Sequence, residues 1–171
     1  SFFQGVVLVS DVLSACGCKA AMLKGAFLCA HYPEGYRTSN DIDLLVLPED
    51  VTKVGNLLIA AGFRQGNVRN GEFVPATRKE IIESKMMRGE TVPYIKEVCL
   101  PGMKYLEVDI NFSLDYKAGE KDILTSLLDR SVVLEEQGIR IPTLCKEDFF
   151  LHLCICIKRQ PHCLGSKCIG I

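Results

Sequence analysis

Residues Asp41-Ile42-Asp43-Leu44-Leu45-Val46 constrain this chain more than any other stretch. Side chains alternate along a β-strand, so Asp41 and Asp43 point to one face while Ile42 and Leu44 point to the other. Two like charges side by side at the mouth of an apolar strand repel, an arrangement tolerated chiefly when a divalent cation lies between them. The segment therefore reads as half of a magnesium site. A solvated strand end is the bland alternative, and the apolar run Leu44–Leu47 argues against it because such a run marks a buried strand.

Chemistry with two cations needs more than two acids. Paired divalent ions stabilise the attacking and leaving oxygens of an in-line phosphoryl displacement, and a third carboxylate on a neighbouring strand completes the metal shell and accepts the nucleophile's proton. Asp109, between Val108 and Ile110, repeats the apolar-acid-apolar grammar of the first strand. Glu107, one repeat earlier on the same face, is the substitute. Taken alone, Asp109 would be an ordinary charge on the polar face of a hairpin.

Bulk properties set the frame. A chain of 171 residues with 48% hydrophobic content has material for a buried core in one domain, or in one domain plus the start of a second. Lysine and arginine (20) nearly balance aspartate and glutamate (21), so no basic field marks a long nucleic-acid partner. No apolar run reaches membrane-spanning length, and no charged-apolar-small segment opens the chain, so a cytoplasmic, membrane-free protein is expected. The nine cysteines then read as reduced thiols, mostly small buried hydrophobes. Cys16/Cys18 and Cys154/Cys156 form C-x-C pairs, and His162, Cys163 and Cys168 are possible zinc ligands without the spacing of a structural zinc site.

The periodicities predict a helix from Phe3 to Ala15, a short buried strand Ala20–Leu23, a glycine break at Gly25 and a helix to His31. Strand, glycine turn and helix are the layout of a phosphate site. A helix is predicted to start at Pro48-Glu49-Asp50 and end at Gly62. Residues 66–77 are polar and glycine-bearing, followed by an exposed helix Arg78–Arg88. A hairpin is predicted around Pro101-Gly102-Met103, with Leu106, Val108, Ile110 and Phe112 on one face. A helix Glu120–Arg130, a strand pair or extended segment Val132–Ile141 and a helix Lys146–Lys158 complete the reading. Asp11, Asp115 and Asp148 read as caps or solvated charges, and His31, His152 and His162 as core or surface histidines.

The order Lys24-Gly25-Ala26, Tyr32-Pro33, Arg37, Asp41-Ile42-Asp43-Leu44-Leu45-Val46 and Ala61-Gly62-Phe63 resembles the uncharacterised nucleotidyltransferase family of the DNA polymerase β-like superfamily. The resemblance spans roughly residues 20 to 156. It implies an α/β (α+β) fold: a short, mixed, twisted sheet with helices packed on one face. A nucleotidyltransferase core would occupy residues 1–142, and residues 143–171 would form the first helix and tail of a truncated C-terminal helical region. It implies a metal-dependent enzyme that moves a nucleoside monophosphate from an NTP to an unknown acceptor, a small molecule, protein or RNA, with release of pyrophosphate. Asp41, Asp43 and Asp109 would be the catalytic and metal-binding acids for Mg²⁺ or Mn²⁺.

The same resemblance makes Lys24, Gly25 and Ala26 the triphosphate turn, where a backbone without a side chain approaches the phosphates and Lys24 supplies charge. Ala26 departs from the usual second residue, a serine or glycine. Arg37 would grip a β- or γ-phosphate, with Ser39 and Asn40 adding hydrogen bonds. For Gly25, Lys24 and Arg37 the plain alternatives are a strand terminator and surface cations. The competing function is a catalytically weak or inactive NTP- or metal-binding module of the same fold.

Overall fold

The computed structural model describes residues 2–23, 25, 40–100, 102–113, 121–136 and 138–159. Helix α1 (Phe2–Cys16) leads into strand β1 (Ala20–Met22). The acidic segment forms β2 (Asp41–Val46), and a single 3₁₀ turn, Pro48–Asp50, delivers α2 (Val51–Ala60). Strands β3 (Arg64–Arg69) and β4 (Glu72–Pro75) precede α3 (Arg78–Met87). The hairpin β5 (Tyr94–Leu100) and β6 (Met103–Asn111) comes next, then α4 (Lys121–Asp129), the hairpin β7 (Val132–Glu136) and β8 (Ile139–Thr143), and α5 (Lys146–Arg159). The described elements match the sequence-based expectations from α1 through α2 and from α3 onward.

One mixed sheet carries all eight strands in the order β4-β3-β5-β6-β2-β1-β8-β7. The pairs β2/β6 and β1/β8 are parallel and the rest antiparallel. Alternation along the central strands sorts the core into two layers. Met22, Ile42, Leu44, Val108 and Ile110 face α1 and α2 in the larger cluster, with Val6, Val9, Val54 and Leu58 among the helix residues meeting them. Ala21 and Leu45 point the other way, against Leu124, Leu127, Leu128 and Phe149 of α4 and α5. Helices thus cover one face broadly and the second face around β1, where the expected further helical layer begins.

Two corrections concern polar and sulfur side chains. Asp148 is buried rather than solvated: Arg130 at the end of α4 donates to both of its carboxylate oxygens at 3.0 Å and holds its pKa below the ordinary carboxylate range. Of the five cysteines whose side chains are described only Cys16 is buried, because Cys99 and Cys154 fall on outward positions of β5 and α5. Cys16 and Cys18 meet at the α1–β1 turn with their sulfurs 2.6 Å apart, and burial together with Cys16 pushes the Cys18 thiol up to about 12.

The polar stretch after α2 is a hairpin. Asn70 (φ 52°) and Gly71 (φ 78°) both occupy the left-handed region that a two-residue type I′ turn requires. Helix α3 then starts on a capping box, in which the Thr77 hydroxyl accepts from the Glu80 N–H and the Glu80 carboxylate accepts from the Thr77 N–H.

A second left-handed glycine sits beside the acidic strands. Gly89 (φ 65°) ends the α3 segment, and a Cβ placed on it would lie 2.5 Å from the Ser113 Cβ. Its carbonyl accepts from the Phe112 N–H at 2.9 Å, and the Thr91 N–H donates to the Ile110 carbonyl at 2.9 Å. Gly89→Ala combines backbone strain with this clash, whereas at Gly71 nothing lies within 4 Å of an added Cβ. Gly71→Ala should therefore cost about 1 kcal/mol and Gly89→Ala roughly 2–3 kcal/mol in urea unfolding. Equal losses would show that the Gly89–Ser113 approach is not tight.

Candidate active site

The acids are brought together by strand pairing. β2 and β6 run parallel with Asp41 opposite Glu107 and Asp43 opposite Asp109. Opposed residues on adjacent strands stand about 4.8 Å apart and point to the same face. Four carboxylates therefore form a two-by-two array, Asp41 and Asp43 along one strand, Glu107 and Asp109 along the next. Ile42, Leu44, Val108 and Ile110, at most 1% exposed, anchor the array from the opposite face. A register slip of one residue in β6 would turn Glu107 and Asp109 into the core.

Along β2 the acidic face is graded: Leu45 is buried, Asp43 half-buried and Asp41 exposed. Among the described residues, α4 and α5 pack against Leu45 at the inner end of this face. The β1 edge of the site is fixed by the Leu23 N–H, which donates to the Asp43 carbonyl at 2.8 Å, and the β6 edge by the Glu107 N–H, which donates to the Asn40 carbonyl at 2.9 Å. Asn40 also donates its side-chain N–H to the Tyr105 carbonyl at 3.3 Å.

Crowding of like charge sets the electrostatics. Partial burial, then Asp43, Glu90, Glu107 and Asp41 in turn, raise the Asp109 carboxyl from an ordinary 3.8 to about 7. Burial and Asp41 also raise Glu107. Glu90 is absent from the sequence-based expectation. It reaches the site because Gly89 and Thr91 strap the end of β6, leaving Glu90 bridged to Asn111. A carboxyl that titrates near neutrality, next to carboxylates that would welcome a cation, can take a proton from a hydroxyl or ligate a hard metal ion.

The structure thus places Asp109 beside Asp43, with Asp41 one rung away next to Glu107. Among the described residues no three carboxylate, thiol or imidazole groups stand placed to grip one metal ion as they are. Gly25 is helical and buried, as a helix opening after β1 would require. Lys24, Ala26, Arg37 and Ser39 lie outside the described residues, as do the tail positions His162, Cys163 and Cys168. Among the described residues, no helix is long and apolar enough to cross a membrane.

Comparison with known proteins bears on the fold and the family. No curated protein sequence matches the chain. Among solved structures it is similar to an antigenic nucleotidyltransferase-like protein from Paracoccidioides brasiliensis, at 16% identity and a TM-score of 0.55, covering 97% of this chain and 69% of that one. It is also similar to a candidate nucleotidyltransferase from Thermotoga maritima, at 12% identity and a TM-score of 0.53, over 92% of this chain and 86% of the other. At such identities the likeness is one of fold. The uncharacterised nucleotidyltransferase family matches residues 3–163, nearly the whole chain, and the protein belongs to that family.

Proposed function

We propose that the protein transfers a nucleoside monophosphate from an NTP to an acceptor hydroxyl, releasing pyrophosphate, with Mg²⁺ or Mn²⁺ as its cofactor. The observation that carries this reading is the Asp43–Asp109 pairing across parallel strands, with Asp41 on the same face. The donor set fits the cation: all three groups offer carboxylate oxygens, the ligands that magnesium prefers. Asp41, Asp43 and Asp109 would hold it, and it would neutralise charge that develops on the phosphoryl oxygens. Lys24, Gly25 and Ala26, with Arg37 and Ser39, are proposed to hold the triphosphate.

The chain's own residues do two things. The apolar undersides of β2 and β6 keep the acids at fixed spacing, so their geometry needs little reorganisation during transfer. Asp109 accepts the proton of the attacking hydroxyl, a role suited to a carboxyl whose proton affinity lies near neutrality. The second reading, an NTP- or metal-binding module without turnover, is favoured by Ala26 in place of the family's usual serine or glycine. Nucleotide bound with no pyrophosphate released would select it.

Incubation with radiolabelled NTPs and magnesium or manganese, scored for pyrophosphate and for labelling of cell-extract components, tests the activity. Asp43→Asn is expected to abolish transfer, and Asp109→Asn to lower its rate by roughly 10²–10⁴-fold, with the fold of both intact by circular dichroism. Wild-type rates in the double variant would defeat the reading.

A stability measurement gives an independent check on the array. The folded Asp109 carboxyl binds its proton more tightly than the unfolded one, so between about pH 4 and 7 the folded state holds more protons. This group's contribution to stability is therefore present below pH 4, falls as the pH rises to about 7 and stays low above. In chelator-treated protein, Asp109→Asn should melt higher than wild type by roughly 5 °C at pH 8 and show no advantage near pH 4. An advantage independent of pH would contradict the crowding of charge.

A further inference from the structure

A cavity of about 500 Å³ opens beside Asp109, between α3, β3 and the Glu90–Pro93 segment. Its volume is that of a small-molecule site. Helix α3 contributes Glu80, Glu83, Ser84 and Met87 and its C-cap contributes Arg88, spaced by threes and fours so that they share one face. A helix over a sheet ordinarily turns an apolar stripe inward. Here Ser84 is the only buried residue of the helix, and Met87 on the same face is 74% exposed. The helix stands over a polar gap where a core would be expected.

The lining is chemically mixed. Glu80, Glu83, Glu90 and Asp109 oppose two guanidinium groups. Arg69 lies 3.6 Å from Glu80, and Arg88 lies 3.7 Å from Glu90. Both cations are thereby matched. Glu83 pairs at 3.7 Å with Lys79, which lies outside the lining, so within the lining itself carboxylates outnumber guanidinium groups by four to two. Asn67, Ser84 and Thr91 add neutral hydrogen-bonding groups, and Met87 and Pro93 add apolar surface. Of the three acids assigned to the metal, Asp109 alone among the described residues borders the cavity.

We propose, resting on the transferase reading above, that this cavity is the acceptor pocket and that it takes a small molecule bearing both hydroxyl groups and a protonated amine. The group that removes the proton from an attacking hydroxyl must touch it, so the acceptor lies where Asp109 opens. In the step itself the acceptor oxygen bonds to the α-phosphorus and its proton passes to the Asp109 carboxylate. The bond from the α-phosphorus to the oxygen bridging to the β-phosphorus breaks, and pyrophosphate leaves with the electron pair. The surplus carboxylates attract an ammonium group and repel a phosphorylated acceptor or a polynucleotide end.

Glucosamine, glucose and glucose 6-phosphate, which share a ring and differ in charge, probe the pocket directly. Protein labelled at the methionine methyl groups is titrated with each sugar, and the Met87 signal is identified with Met87→Leu. Glucosamine should move the Met87 methyl saturably with a dissociation constant roughly fivefold below that of glucose, and glucose 6-phosphate should bind least. Glu83→Gln with Glu90→Gln should bring glucosamine to the level of glucose. Glu83→Gln alone, a surface change on α3, supplies the comparison if the double variant loses its native spectrum. Equal affinities, tightest binding of glucose 6-phosphate, or a Met87 signal that never moves would overturn the assignment. Pyrophosphate release by Asp43→Asn separates the two levels. Its loss alongside indifference to glucosamine removes only the acceptor class, whereas its persistence removes the transferase reading itself.

Discussion

The parallel pairing of β2 with β6 is the constraint that governs both the core and the site. It sets Asp43 opposite Asp109 and Asp41 opposite Glu107 while burying Ile42, Leu44, Val108 and Ile110 beneath them. Repulsion among the acids favours separating the strands, and the apolar contacts on the underside oppose it. Both depend on one register, because a strand alternates with period two. The chemistry on one face and the core on the other are therefore two readings of the same alignment.

Much of this was legible in the chain because local chemistry and fold agree there. The Asp-Ile-Asp-Leu pattern and the Val-Asp-Ile pattern each declare a strand with acid on one side. The Pro-Gly turn between β5 and β6 and the proline and acids before α2 mark boundaries by their own backbone preferences. The family resemblance added the pairing of the two acidic segments, which alternation within either one does not contain. The triphosphate residues Lys24, Ala26, Arg37 and Ser39 remain expectations of that resemblance.

Features that were not legible depend on elements meeting at a distance. Strands β3 and β4 flank an Asn-Gly turn, the strongest local hairpin signal, yet Arg64, Gln65, Asn67 and Arg69 lack the apolar alternation that would mark a strand. Pairing to β5 and the cation-π contact of Arg64 over the Phe73 ring, at 4.1 Å, support them instead. Glu90 has no expected role in the sequence, and it is the strap at Gly89 and Thr91 that carries it to Asp109. Asp148 reads as a cap or a solvated charge until Arg130, at the end of α4, closes on it and buries it. The cavity beneath α3 is a gap between segments, and no residue of the sequence announces a gap.

The separation of the paired strands along the chain has a bearing on how the molecule is made. β1 and β2 are made before the strand that completes the carboxylate array, which ends at Asn111, and the pairing spans more than sixty residues. Contacts so distant in sequence form late and slowly, because a long loop must close before they reward it. A growing polypeptide therefore displays Asp41 and Asp43 without their partners until β6 has been made, and the assembled array arises only once the hairpin β5–β6 has docked. Competence for chemistry is in this way tied to completion of the central sheet.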